Sequence, residues 1–214
     1  MKSLTTFLSV FFTATPFFYL ASCYGDLPDR IPIHFDLFGN PDGYGPRWIL
    51  WLLLGLLIPL IVAVTARWRL DTDAEGRPTK LARMGLVTLA TTSLLFTYLI
   101  YLTTTGGGAG VGGLVIITGV VFATTGNYFP VLPRNRWVGF RIPKTLRSDR
   151  VWRAVHRAVA PYFAGGGLVL IAAGVLLPVP YVSYALIAVI VLTLGVGLYV
   201  AWRTPETDDP GDFV

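Results

Sequence analysis

Charge is scarce in this chain. Only 14% of its 214 residues are Asp, Glu, Lys or Arg, against roughly 25% in an average soluble domain. So few charges cannot wet a closed surface, which excludes an ordinary water-soluble globule. Cysteine is scarcer still. The single Cys23 permits no internal disulfide framework and no multi-cysteine metal site. The two histidines, His34 and His156, fall on opposite sides of the chain's expected topology, so no Ser/His/Asp or Cys/His triad can be assembled. The apolar runs lack the period-two alternation of a transmembrane barrel.

What the chain has instead is apolar length, with 54% hydrophobic residues. Six runs, from Leu4 to Tyr24, Trp48 to Ala66, Met84 to Thr103, Val111 to Phe129, Val159 to Leu177 and Val182 to Trp202, contain no internal Asp, Glu, Lys, Arg or His. Each is close to the ~20 residues that span a bilayer as a helix, and backbone satisfaction in lipid makes helices the default. The expected fold class is therefore all-α, a polytopic membrane protein with six transmembrane helices.

The basic residues orient it. Lys2, Arg67, Arg69, Arg77, Lys80, Arg83, the eight between Arg134 and Arg157, and Arg203 lie on one side, leaving only Arg30 and Arg47 on the other. That asymmetry places both termini in the cytoplasm of a bacterial or archaeal cell, at its plasma membrane. The net charge of +5 is thus topological, not a nucleic-acid signal. The expected organisation is a two-helix unit over 1–66 with an extracytoplasmic loop at 25–47, then a basic loop at 67–83. A four-helix domain follows over 84–202 with a cytoplasmic loop at 130–157, and 203–214 is an acidic, disordered tail.

Leu20-Ala21-Ser22-Cys23 resembles a lipoprotein processing box, but the apolar run before it exceeds the ~7–15 residues of a signal h-region. A retained helix is the expectation, with Cys23 near the outer interface.

The two loops carry most of the remaining information. In the outer one, Pro and Gly preclude a continuous helix, and Asn40-Pro41-Asp42-Gly43 predicts a turn. Its apolar residues, Ile31, Ile33, Phe35, Leu37 and Phe38, should hold it as a compact lid. Pro32, His34, Asp36 and Asp42 are its candidate site residues. One histidine with two carboxylates at irregular spacing reads as turn chemistry before it reads as a metal site, so no metal is predicted. In the inner loop, aromatic and basic residues alternate, as in a segment lying in the membrane interface. Ser148 or Asp149 should cap the helix that follows. On that helix Trp152 and His156 lie one turn apart, while Arg153 and Arg157 form a basic face.

Gly126-Asn127-Tyr128, Asn135, Gly139-Phe140-Arg141-Ile142-Pro143-Lys144-Thr145-Leu146, Val151-Trp152 and His156-Arg157 together resemble the signature of the SdpI immunity-protein family. Lys144 stands where that family often has Trp, and Val155 where Thr usually precedes the His-Arg pair. Upstream, Leu27 to Phe35 and Gly39 to Gly43 resemble the small membrane domain of unknown function that often precedes it. The resemblance implies immunity to a peptide toxin, antimicrobial-peptide resistance, and signal transduction through a regulatory protein held at the membrane. It implies no cofactor and makes Asn127, Asn135, Arg141, Pro143, Trp152, His156 and Arg157 the candidate binding residues. Its implied partners are a toxin outside and a regulatory protein inside; the apolar spans themselves make the lipid bilayer a partner, and the glycine pairs permit a homo-oligomer or membrane complex.

Other matches fail on context. Gly108-Ala109-Gly110-Val111-Gly112-Gly113 spells G-x-G-x-x-G but follows no strand; the pairs Gly106/Gly110 and Gly108/Gly112 instead suit close helix packing. The run Asp71 to Gly76 opens like a calcium loop, yet Ala82 holds its twelfth position. Three rivals to a binding role remain. The chain could be an accessory subunit, a lipid-phosphate enzyme using His156 with Asn135 and Arg141, or a transporter, although its spans offer only Thr and Ser such as Thr91, Thr92 and Ser93.

Overall fold

The computed structural model describes residues 2–69, 79–105, 110–135 and 138–206. Arg77, the turn from Asp71 to Gly76, Gly106 and Gly108 of the glycine pairs, Arg136, Trp137 and the tail from residue 207 lie outside the described residues. Six long helices carry the fold: α1 (Lys2–Cys23), α2 (Ile49–Arg69), α3 (Lys80–Thr104), α4 (Val111–Tyr128), α6 (Asp149–Leu176) and α7 (Val179–Arg203), with a short α5 (Pro143–Arg147). Among the described residues, five are long and apolar enough to cross a membrane, and α2 is apolar over Ile49–Ala63. The protein is a polytopic, mostly helical membrane protein.

It is not all-α. Between α1 and α2 the chain makes a two-stranded antiparallel sheet, β1 (Arg30–Phe35) against β2 (Pro41–Pro46), pairing Arg30 with Pro46 and Phe35 with Pro41. The turn also falls earlier than predicted. Asp36 accepts hydrogen bonds from the N–H of Phe38 (2.8 Å) and of Asn40 (2.9 Å), Gly39 takes φ +85°, and Pro41 to Gly43 are in the second strand. An Asx-type carboxylate followed by a glycine in the left-handed region closes the tip. Ile31 turns inward to pack with Leu27, Leu50 and Leu54, while Ile33, Leu37 and Phe38 stay exposed.

Arg47 ties this hairpin to α2. Its guanidinium donates to the carbonyls of Leu27 (2.8 Å) and Tyr24 (3.4 Å), reaches Asp29, and lies 5.1 Å from the centre of the Tyr24 ring. Tyr24 in turn packs on Trp51.

Helix α3 packs against α1 and α2 on one side and α4 on the other, joining two halves of the bundle. The second half is built on α4 and α6. Gly112, Gly119 and Gly126 recur at a seven-residue interval along α4 and face Gly174, Gly167 and Ala160 of the antiparallel α6. A Cβ on Gly119 would stand 2.6 Å from the Gly167 carbonyl oxygen, and one on Gly126 would stand 2.5 Å from Ala164 N. The obstacle at each is backbone, which cannot swing aside. In lipid, where apolar burial between helices gains little, such backbone contact is what holds two helices together. Phe122 stacks on Phe163 across the same seam, and Phe163 meets Phe129. Helix α7 packs on the other side of α6.

Gly167→Ala should therefore destabilise the fold, lowering Tm in detergent by roughly 5–10 °C for an overpacking cost of ~1–3 kcal/mol. Gly165→Ala, two residues away with open space around its Cβ position, should leave Tm unchanged or raise it slightly.

Candidate functional site

The candidate residues of the inner loop converge at the end of the α4–α6 seam, on His156. Its side chain is buried. Nε2 accepts the Phe140 N–H (3.0 Å), and Nδ1 faces the Trp152 carbonyl oxygen (2.8 Å), to which it must donate. One nitrogen accepts and the other donates, so the pair of partners assigns a neutral imidazole with its proton on Nδ1. The Trp152 ring stacks on it with centroids 4.0 Å apart, and Phe129 closes the other side edge-on at 5.3 Å. Trp152 Nε1 donates to the Leu132 carbonyl (2.8 Å), so the two buried aromatic groups each grip a strand of the loop.

Gly139 makes the approach possible. It has φ +116°, and a Cβ there would fall on His156 Nε2. From it the chain runs into α5. The Thr145 hydroxyl, fully buried, accepts from the Ile142 N–H (3.1 Å) and donates to the Phe140 carbonyl (2.7 Å). Pro143 occupies the first position of α5, where a missing N–H costs nothing. Phe140 lies against Gly197 of α7 instead of dipping into lipid, and Lys144 donates to the Trp202 carbonyl at the end of α7 (3.2 Å). Ser148 caps α6 by accepting the Val151 N–H (3.3 Å). Asn135 closes its own turn, accepting from Val138 N–H (2.7 Å) and donating to the Pro133 carbonyl (2.9 Å).

The arginines lie outside this latch. Arg134 pairs with Asp149 (2.6 Å) and donates to the Leu146 carbonyl (2.8 Å). With Asn135, Arg141 and Leu146 it lines an open, shallow cleft. Arg157 is exposed, one position beyond His156 and turned away from it. Asn127 is exposed too, and its amide donates back to the Ala123 carbonyl of its own helix (2.8 Å). The latch thus unites Pro143, Trp152 and His156, reaches Asn135 and Arg141 at its edge, and leaves Asn127 and Arg157 apart. His156 directs neither nitrogen toward Asn135 or Arg141, so those three side chains are not joined in one acid–base trio. Gly139 and Thr145 were visible in the sequence only as motif letters. Their roles depend on contacts with α6 and within the turn that spacing does not reveal.

At the hairpin end His34 Nδ1 lies 2.5 Å from Asp42, both exposed. Asp36 is turned away into the tip, and Pro32 pairs with Tyr44 across the sheet. Among the described residues no three potential metal ligands gather. The span hydroxyls are also accounted for locally: Thr91, Thr97, Thr118, Thr124 and Thr193 each donate to the carbonyl four residues back.

Residues 131–202 match the model of the SdpI/YfhL protein family, and residues 11–64 match a domain of unknown function, DUF1648. The two matches stand in the order of the SdpI family and its preceding domain. The first begins after Gly126-Asn127-Tyr128 and contains the latch apart from Phe129. No curated protein and no solved structure matches the chain.

Two outcomes follow from this geometry. Gly139→Ala should open the latch and raise trypsin cleavage after Arg141, Lys144 and Arg147 several-fold, and His156→Phe should do the same by leaving the Phe140 N–H unpaired at a cost of ~1–3 kcal/mol. At the hairpin tip, the N–H of Asn40 holds the Asp36 carboxyl below the usual range against partial desolvation, helped by Asn40's amide and the Phe38 and Gly39 N–H groups. A lowered folded-state value means stabilisation that is complete above the ordinary aspartate value of about 3.9 and is lost as pH falls below it. The protection factors of the Phe38 and Asn40 amides, taken against intrinsic exchange at each pH, should fall in that acid window, and Asp36→Asn should remove that fall.

Proposed function

We propose that this SdpI-family membrane protein gives a cell immunity to a peptide toxin and relays the encounter to a cytoplasmic partner through its basic loop. The observation that carries this reading is the use of His156. Both ring nitrogens are taken by main-chain groups, so the motif's histidine is a structural pin and has no free nitrogen for proton transfer. What remains accessible is a binding surface. Arg141, Arg147 and Arg157 are exposed around the latch, and Arg150 and Arg153 continue along the start of α6. A basic face on a folded platform suits an acidic protein surface, attracted through charge and positioned by the fixed loop.

In this reading the motif end of the bundle is cytoplasmic, because it carries Arg134, Arg141, Lys144 and the α6 arginines. The hairpin between α1 and α2 then faces outside, where a toxin arrives. All six long helices span the membrane. α2 crosses with them because it starts at the hairpin and ends in the basic Arg67–Arg69 stretch. The path between the two ends is α3, the helix in contact with both halves.

A sensitive bacterium expressing the chain should survive at least one of a panel of membrane-active peptide toxins. Gly139→Ala, brought to equal membrane abundance, should lose that protection together with recruitment of any cytoplasmic partner captured by the wild type. A combined Arg141→Ala, Arg153→Ala, Arg157→Ala variant should lose recruitment and keep the latch closed to trypsin. Wild type that protects against no toxin and captures no partner would overturn the proposal.

A further inference from the structure

We infer that the hairpin end of the bundle holds one acyl chain of a membrane lipid in an apolar cleft beneath β1. The cleft has a floor of α3, walls from α2 and the start of α4, and a roof made by β1. Ile31, Leu53, Phe96, Leu99 and Leu114 are among its lining residues, and its volume is about 370 Å³. From Leu102 down to Phe96 it reaches ~9 Å along α3 at ~1.5 Å per residue, within the depth of one leaflet.

Its chemistry excludes the other ordinary occupants. Water finds few partners there. The two polar side chains in the lining are already engaged, Thr103 donating to the Ile100 carbonyl (2.6 Å) and His34 meeting Asp42. An enclosed apolar cavity of roughly 150 Å³ stays dry and takes up an apolar guest, and the lining of this open cleft is apolar in the same way. Leaving it empty would forfeit the dispersion contacts of every lining side chain. A peptide backbone would bring N–H and C=O groups against a lining that is almost wholly apolar. An acyl chain brings neither penalty.

The mouth supplies the route. Leu53 lines the cleft and is 39% exposed, and Leu52, Leu56, Leu57 and Leu60 continue an exposed apolar stripe along α2. The cleft is therefore continuous with the lipid-facing surface of the bundle, and a chain enters sideways from the leaflet without crossing water. Because β1 is the roof, the bound chain becomes part of the seat on which the hairpin rests, together with the Arg47 tether.

The test places the full chain in nanodiscs of phosphatidylethanolamine and phosphatidylglycerol, with a phosphatidylethanolamine carrying a diazirine on its acyl chain as the probe. After illumination, adducts should concentrate on β1, on the start of α2 and on residues 96–103. Leu99→Trp and Leu114→Trp, which fill the cleft from two sides, should lower that labelling several-fold. Leu56→Trp, on the open stripe, should not. Adducts spread evenly over all lipid-facing helices in the wild type would overturn the inference whatever the variants do. So would labelling that survives in a folded cleft-filled variant, or that an added apolar peptide displaces.

Discussion

The backbone contact between α4 and α6 sets what the rest of this structure can do. Helices approach this closely only where the residues in contact are glycine or alanine, and Gly112, Gly119 and Gly126 meet Gly174, Gly167 and Ala160 in an antiparallel register. The register leaves no freedom to slide, because a shift of one residue would bring a side chain against backbone at every step. It therefore determines where α4 ends relative to α6, and so where Phe129 and Leu132 stand relative to Trp152 and His156.

On that platform Leu132 and the segment from residue 138 to 147 are held by main-chain hydrogen bonds to two buried rings. Trp152 holds the Leu132 carbonyl, His156 holds the Phe140 N–H, and Thr145 joins the Ile142 N–H to the Phe140 carbonyl. Buried polar groups in so apolar a protein are costly unless paired, and among the described residues no buried side-chain nitrogen or oxygen lacks a partner. The arginines sit outside this paired interior, on the surface it supports. That division, apolar and satisfied within, basic and accessible without, is what supports the proposed binding role. The hairpin end is organised by a similar device, a single Arg47 gathering the carbonyls of the chain that returns from α1.

Much of the architecture was legible beforehand. Apolar runs uninterrupted by charge located all six long helices, and Ser148 announced the start of α6. The hairpin was not legible as a sheet. Pro41-Asp42-Gly43-Tyr44-Gly45-Pro46 has little strand propensity, and its pairing comes from the Asp36 turn and the burial of Ile31. The glycine seam was missed for a different reason: i,i+4 pairs at Gly106 to Gly112 drew attention, whereas the working contact recurs every seventh residue and needs the partner helix to be seen. His156 was read as a group offered to a ligand. Its main acceptor role is toward Phe140, sixteen residues earlier, a pairing created only when the loop folds back through Gly139.

The central claim is that His156 is a neutral pin held by two main-chain groups. The most direct measurement is the nitrogen-15 NMR of the His156 ring in the intact protein in lipid at neutral pH. The account predicts a proton on Nδ1, an unprotonated Nε2, and a detectable coupling across the hydrogen bond from the Phe140 amide to Nε2. An imidazolium, or a ring protonated at Nε2, would contradict it, and would return His156 to the set of groups available for chemistry.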